Sequence, residues 1–305
     1  MKRILLTGAD GMLGSDLKAL LSHKKYNLLA PGPKKMDITN LASVMSYILR
    51  KKPDLVIHCA AYTSVDKAER EQGLCFAVNA EGTKNVAFCC RELKAEMIYI
   101  STDYVFDGTS ETPYSFNDKP NPINVYGASK LKGEEYVQVL VPKHKIIRTS
   151  WLVGLNGRNF VEAILKAAGE RKVLKVVNDQ VGRPTFTFHL AEKIEAMINK
   201  KVTGIFHITN EGVCSWFEFA CKILEDAGIK DVEVQPIPST KFRSLARRPA
   251  YSVLANRRLA ELKLPNLPTW EKGLEEYLQR RAAKLAAVGV VDSGSKEPLA
   301  AAAAS

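Results

Sequence analysis

A short apolar run, residues 4–7, breaks off at Gly8 into Gly8-Ala9-Asp10-Gly11-Met12-Leu13-Gly14, and an amphipathic segment with Leu13, Leu17, Leu20 and Leu21 follows at once. A strand that ends in glycines and feeds a helix lets the backbone approach a pyrophosphate, whose charge the free amides of the first helical turn attract. A structural strand-to-helix turn uses the same residue types, and the placement at residue 8 favours dinucleotide binding. The spacing is looser than the Gly-x-Gly fingerprint of many dehydrogenases, so it points to another branch of the fold.

From there β-branched runs alternate with longer helical patterns. Strands are expected over residues 4–7, 27–30, 55–61, 97–100, 145–149, 174–177 and 205–209. Helices are expected over 41–50, 73–94, 159–171 and 185–200, with others opening near Asn124 and at Ser215. Thr39 or Asn40 would cap the 41–50 helix, and Ser215 with Glu218 forms a capping box. The alternation predicts an α/β fold, a doubly wound parallel sheet of Rossmann type with a smaller C-terminal substrate lobe. Residues 1–150 read as the dinucleotide-binding domain, with later segments returning to it, and 151–281 mainly as the substrate lobe. The Ala-, Gly- and Ser-rich residues 282–305 read as a flexible tail.

At 305 residues the chain can bury a core of that size. Its formal net charge of +11 is spread along the sequence with acids interspersed. That pattern favours solubility or an anionic small substrate over nucleic acid. Six cysteines, without metal-ligand spacing, read as free thiols of a reducing, cytoplasmic compartment, and no metal site is expected. No signal peptide and no apolar run of roughly 18 residues is found, so no membrane span is expected. Charged late helices are compatible with a homodimer.

Tyr126 and Lys130 lie four residues apart on one predicted helix, about one turn, so they face the same way. An ammonium near a phenol favours phenolate and makes the tyrosine a usable proton donor or acceptor. The same spacing occurs on ordinary solvated helices, and it gains meaning from the glycine loop and from Ser101-Thr102-Asp103-Tyr104. Those four residues follow an apolar strand, at the end where doubly wound sheets place their ligands. The second strand ends in Pro31-Gly32-Pro33-Lys34-Lys35 with no acid at its tip. An acid there would hold a ribose hydroxyl, whereas lysines suit a 2′-phosphate; NADPH is therefore expected, with NADH as the alternative. His58 reads as a packed strand-end residue.

In these residues the chain resembles the extended short-chain dehydrogenase/reductase superfamily and, within it, the dTDP-4-dehydrorhamnose reductase family. The likeness covers residues 1 to about 280. Besides the glycine loop it rests on the runs that begin at Ala60-Ala61-Tyr62-Thr63, Ser101-Thr102-Asp103-Tyr104 and Val125-Tyr126-Gly127. Further on come Arg148-Thr149-Ser150-Trp151, Asn178-Asp179-Gln180-Val181 and Ala246-Arg247-Arg248-Pro249. The resemblance implies NAD(P)H-dependent reduction of the C4 ketone of dTDP-4-dehydro-L-rhamnose. It makes Tyr126 the general acid, Lys130 the ribose ligand that tunes it, and Thr102 the hydroxyl on the reacting oxygen. For the cofactor it implies Gly8, Gly11, Met12, Leu13 and Gly14 at the pyrophosphate, Asp37 and Ile38 at the adenine edge, and Ala60, Ala61 and Tyr62 around the ribose and phosphates. For the dTDP-sugar it implies Thr63, Val65, Tyr104 and Trp151, with Asn178, Gln180 and Arg248. Arg247 and Arg248 also read as a solvated basic pair, although a guanidinium suits a diphosphate. The alternatives are a sugar-nucleotide epimerase or dehydratase of the same superfamily, or a non-catalytic subunit like the regulatory subunit of methionine adenosyltransferase.

Overall fold

The computed structural model describes residues 1–24 and 26–288. Six parallel strands form its central sheet, in the spatial order Gly204–His207, His144–Thr149, Glu96–Thr102, Leu55–His58, Arg3–Thr7 and Asn27–Leu29. The inner strands are covered on both faces, which is why Leu55–His58 and His144–Thr149 are buried along their whole length. The chain leaves Arg3–Thr7 outward to Asn27–Leu29 and then returns on the opposite side through Leu55–His58. That reversal opens a crevice beyond the C-terminal strand ends, where Thr7 pairs in register with His58 and Thr102 with Thr149.

One face of the sheet is covered by Met12–Ser22 and Thr187–Met197, which bring Leu13, Leu17, Leu21, Leu190 and Ile194 into one core. The other is covered by Leu41–Lys51, Thr83–Leu93 and Val125–Leu140. Asn40, one of the two residues expected to cap, accepts the Ser43 amide. A separate core, built around Val161, Phe186, Phe219, Trp270 and Tyr277, gathers the later segments. The chain crosses between the two cores more than once, because Thr187–Met197 and Gly204–His207 belong to the sheet while Trp216–Asp226 belongs to the second core. Ser215 and Glu218 cap that last helix reciprocally.

Three expected elements differ in detail. The 73–94 helix runs as Gln72–Phe76, one wide π turn at Ala77–Gly82, and Thr83–Leu93. The 185–200 segment begins as the short strand Thr185–Phe186 paired with Leu152–Val153 before turning helical. The tail expected from Ala282 is helix up to Val288, the end of Trp270–Val288. Alanine is the strongest helix former, and the Lys284 ammonium donates to Leu155 O at 2.8 Å and Asn156 Oδ1 at 2.9 Å. Residues 289–305 lie outside those described. Among the described residues no helix is long and apolar enough to cross a membrane.

Candidate active site

Gly8 turns the chain at the end of the first strand with φ +66°, and Gly11 N donates back to Gly8 O at 3.1 Å. A Cβ on Gly8 would lie 2.6 Å from Ala60 N, and one on Gly14 would run into the Gly8 carbonyl oxygen. The loop is therefore as thin as backbone allows. Gly11 opens helix Met12–Ser22 without a side-chain cap, which leaves the first amides to meet an anion. Leu13 is buried in the core, so it can offer only backbone, whereas Met12 is half-buried beside the turn. Gly8→Ala should cost at least about 1–2 kcal/mol from its left-handed backbone alone. It should also weaken NADPH binding, measured by nicotinamide fluorescence; an unchanged dissociation constant would contradict this reading of the loop.

Around the crevice, Asp37 is exposed and accepts the Thr39 amide at 2.9 Å, while Ile38 O accepts from Asn85 Nδ2 at 2.9 Å. Lys34 and Lys35 are exposed on the same loop. Ala60, Ala61 and Tyr62 come one residue past Leu55–His58, after Cys59; Ala60 N donates to Thr7 Oγ1 at 3.3 Å and Tyr62 N to Asn79 Oδ1 at 2.7 Å. His58 is fully buried between the Thr7 and Thr83 hydroxyls, and burial first, then the Lys130 charge, lowers its pKa to about 3. It is a neutral packing residue, as expected.

Helix Val125–Leu140 starts at Asn124, whose side chain accepts the Gly127 amide at 2.8 Å, and Glu69 accepts the Val125 amide at 2.9 Å. Only glycine fits at 127, since a Cβ there would collide with Tyr104 O. Tyr126 thereby lies edge-on to Tyr104, with ring centroids 6.0 Å apart. Thr102, the last residue of Glu96–Thr102, donates to Asp103 Oδ1 at 3.0 Å, accepts the Tyr104 amide at 3.2 Å, and interacts with the Tyr126 phenol. Thr102, Tyr104 and Tyr126 are thus brought together at the sheet's C-terminal edge.

Lys130 departs from the expectation that its ammonium depresses the Tyr126 pKa. Its Nζ donates to Ile100 O at 2.7 Å and lies 4.1 Å from the Tyr99 ring centroid. Burial pushes the Tyr126 phenol well above its ordinary value, with Thr102 opposing and Asp103 and Tyr104 adding to the rise. Tyr126 is accordingly a firmly protonated acid at neutral pH. Lys130 is itself lowered to about 7 by burial, against the opposing charge of Glu134. Between pH 7 and its ordinary 10.5 the unfolded chain holds a proton that the folded chain has released. The cost of this buried charge is therefore largest below pH 7 and fades as pH rises through that window. Lys130→Met should gain most stability relative to wild type at pH 6 and have lost more than about half of that advantage by pH 9, as read by urea midpoints. A pH-independent difference would contradict it, because loss of the Ile100 hydrogen bond weighs equally at both.

Trp151 sits just past His144–Thr149 in the left-handed region, φ +46°, and stacks on Trp216 with centroids 3.4 Å apart. Thr63 is exposed and Val65 buried at the start of Val65–Arg70; Asn178 is exposed, its amide donating to Ile237 O, and Gln180 is half-buried. Arg248 is largely covered, paired with Asp66 at 2.8 Å rather than standing in solvent. Asn79, Ser129 and Trp216 were not singled out by sequence. Asn79 Nδ2 donates to Ser129 Oγ at 2.9 Å and to Tyr62 O at 3.0 Å, tying the cofactor-side loop to the helix of Tyr126. The only hint was the polar Asn79 in an otherwise apolar helical stretch. Among the described residues no group of three His, Cys, Asp or Glu is placed to hold a metal.

A parallel sheet with a glycine turn at its switch point, and Thr102 and Tyr126 at the adjoining edge, defines a dinucleotide-binding protein of Rossmann type. The chain matches the RmlD substrate binding domain family over residues 1–283, and it belongs to that family. It is 38% identical over 282 residues to the spore coat polysaccharide biosynthesis protein SpsK of Bacillus subtilis, covering 92% of this chain and 99% of that one. It is 38% identical over 283 residues to the dTDP-4-dehydrorhamnose reductase of Mycobacterium tuberculosis, with 91% and 92% covered. The crystal structure of the Bacillus anthracis dTDP-4-dehydrorhamnose reductase in complex with NADP is 42% identical and superposes with a TM-score of 0.89, covering 92% of this chain and all of that one.

Proposed function

We infer that this protein is an NADPH-dependent sugar-nucleotide reductase that converts the C4 ketone of dTDP-4-dehydro-L-rhamnose to the alcohol of dTDP-L-rhamnose. The observation that carries the reading is the convergence of Thr102, Tyr104 and Tyr126 beside a glycine turn too tight for any side chain at Gly8 or Gly14. Membership of a family whose relatives are reductases of this sugar nucleotide supplies the substrate class.

The residues fit the cofactor. Gly8, Gly11 and Gly14 would carry the pyrophosphate with the first amides of Met12–Ser22, Ala60 to Tyr62 the ribose region, Asp37 and Ile38 the adenine edge, and Lys34 or Lys35 a 2′-phosphate. When bound, reduced nicotinamide supplies a hydride to the ketone carbon. Negative charge then grows on the carbonyl oxygen, and Tyr126 gives it the phenolic proton while Thr102 hydrogen-bonds the same oxygen. The raised pKa of Tyr126 keeps that proton in place until charge develops. Lys130, buried with its Nζ on Ile100 O, would hold the nicotinamide ribose. Thr63, Val65, Tyr104 and Trp151 would line the sugar-nucleotide side, with Asn178 and Gln180 at its margin. The six free cysteines fit a reducing cytoplasm.

The test is loss of nicotinamide absorbance with NADPH and dTDP-4-dehydro-L-rhamnose. One NADPH should be oxidised per sugar nucleotide reduced. Substrate turnover without net NADPH consumption would favour an epimerase, and silence combined with co-purification of a methionine adenosyltransferase would favour a binding subunit.

A further inference from the structure

Residues 245–249 come from late in the chain, yet they are fastened to the catalytic face at three separate points. Asp66, in the first turn of Val65–Arg70, accepts the Leu245 and Ala246 amides, each at 2.9 Å. Its carboxylate also holds Arg248, through Nη2 at 2.8 Å and Nη1 at 3.3 Å. Asn124, the cap of the helix that carries Tyr126, donates through Nδ2 to Arg247 O at 2.9 Å. Pro249 closes on Gly108, where φ is +84° and a Cβ would meet Pro249 Cα at 2.6 Å. The Arg248 guanidinium in turn interacts with the Tyr104 phenol, whose ring lies against Tyr126.

The charges balance within this cluster. Burial opposes ionisation of Asp66, but hydrogen bonds from Arg248 and the Ala246 amide, the guanidinium charge and the Leu245 amide outweigh it and hold the carboxyl below its ordinary value. Arg248 therefore has a fixed, half-buried counter-ion and spends Nη donors on Asp66 and on Ala246 O. A guanidinium so engaged is poorly placed to neutralise a diphosphate as well.

We propose that Asp66 and Arg248 are positioning residues of the reductase site: their ion pair straps residues 245–249 across the catalytic face and sets Tyr104 against Tyr126, in place of a direct grip by Arg248 on the substrate diphosphate. This rests on the reductase reading for its kinetic consequence, but the strap itself is a structural statement with its own readout.

Asp66→Asn and Arg248→Gln, made singly and together, test it. Either single variant should lower kcat by about tenfold to a hundredfold, the effect of a slightly misplaced catalytic group, with NADPH affinity unchanged. The double variant should be no worse than the poorer single, because the two side chains act as one unit. Arg248→Lys should not rescue, since an ammonium cannot reproduce the two-pronged pairing. Hydrogen exchange at the Leu245 and Ala246 amides and around Tyr104 should rise in Asp66→Asn whether or not the protein reduces the proposed sugar. The inference is overturned if Asp66→Asn leaves exchange around Tyr104 and kcat at wild-type values. It is equally overturned if Arg248→Gln alone raises the KM for the sugar nucleotide, which would mark Arg248 as a ligand contact. Absence of wild-type reductase activity, with exchange responding as stated, would strike the functional reading and leave the strap standing.

Discussion

Tyr126→Phe should slow ketone reduction by about 10² to 10⁴ in kcat while leaving NADPH affinity within a factor of two. The variant keeps the ring that packs edge-on to Tyr104 and removes only the hydroxyl. Burial already holds the phenol in its protonated form, and among the neighbours that tune it only Thr102 favours phenolate. The adjacent carboxyl, Asp103, is buried and raised to about 7, and its Oδ1 accepts the Thr102 hydroxyl. Steady-state kinetics with NADPH binding measured separately checks the prediction. A fall confined to KM would mean that the hydroxyl binds ground state and transition state alike and is not the acid.

Glu134→Ala should destabilise the fold by about 3–5 kcal/mol, the usual cost of leaving a buried charge without its partner. Glu134 is wholly buried on the helix of Tyr126 and Arg148 is 1% exposed on the neighbouring strand. The pair is bidentate, Arg148 Nε donating to Oε1 at 2.9 Å and Nη2 to Oε2 at 2.7 Å, and Ser101 Oγ adds a third hydrogen bond at 2.5 Å. This cluster bolts the catalytic helix to the strand that ends in Thr102. Removing both charges in Glu134→Met with Arg148→Met should cost less than Glu134→Ala alone, because no orphaned guanidinium is left. Denaturant midpoints decide the matter; a loss under about 1 kcal/mol in the single variant would show that water reaches and solvates Arg148.

What could be read from sequence was what is written locally. The glycine turn, the order of strands and helices, the Asn40 and Ser215 caps, and the Tyr126 and Lys130 spacing each depend on residues within a few positions of one another. The sheet's edge then follows from topology, because every strand feeding a crossover helix ends on the same side. Long-range pairings left no such trace. Nothing along the chain singles out Glu134, and only the fold sets it against Arg148. Asp66 and Arg248 are 182 residues apart in the chain, so neither position alone announces the other. The Trp151 stack on Trp216 joins the end of a sheet strand to a helix of the second core. Helical spacing sets Lys130 one turn from Tyr126, but it could not tell where the flexible side chain ends, and the ammonium goes to Ile100 O and the Tyr99 ring. Low-complexity composition misled at residues 282–288, where alanines that look like a tail continue a helix held by Lys284.

In the proposed reaction a hydride from NADPH and the proton of Tyr126 add across one sugar ketone. The direct measurement is a turnover with NADPH carrying deuterium at the transferable C4 position, followed by mass spectrometry and proton NMR of the sugar nucleotide. One deuterium per product is expected, located at sugar C4, with an equal amount of NADP formed and the rate collapsing in Tyr126→Phe. Product free of deuterium, or label exchanged into the sugar without net NADP, would contradict it.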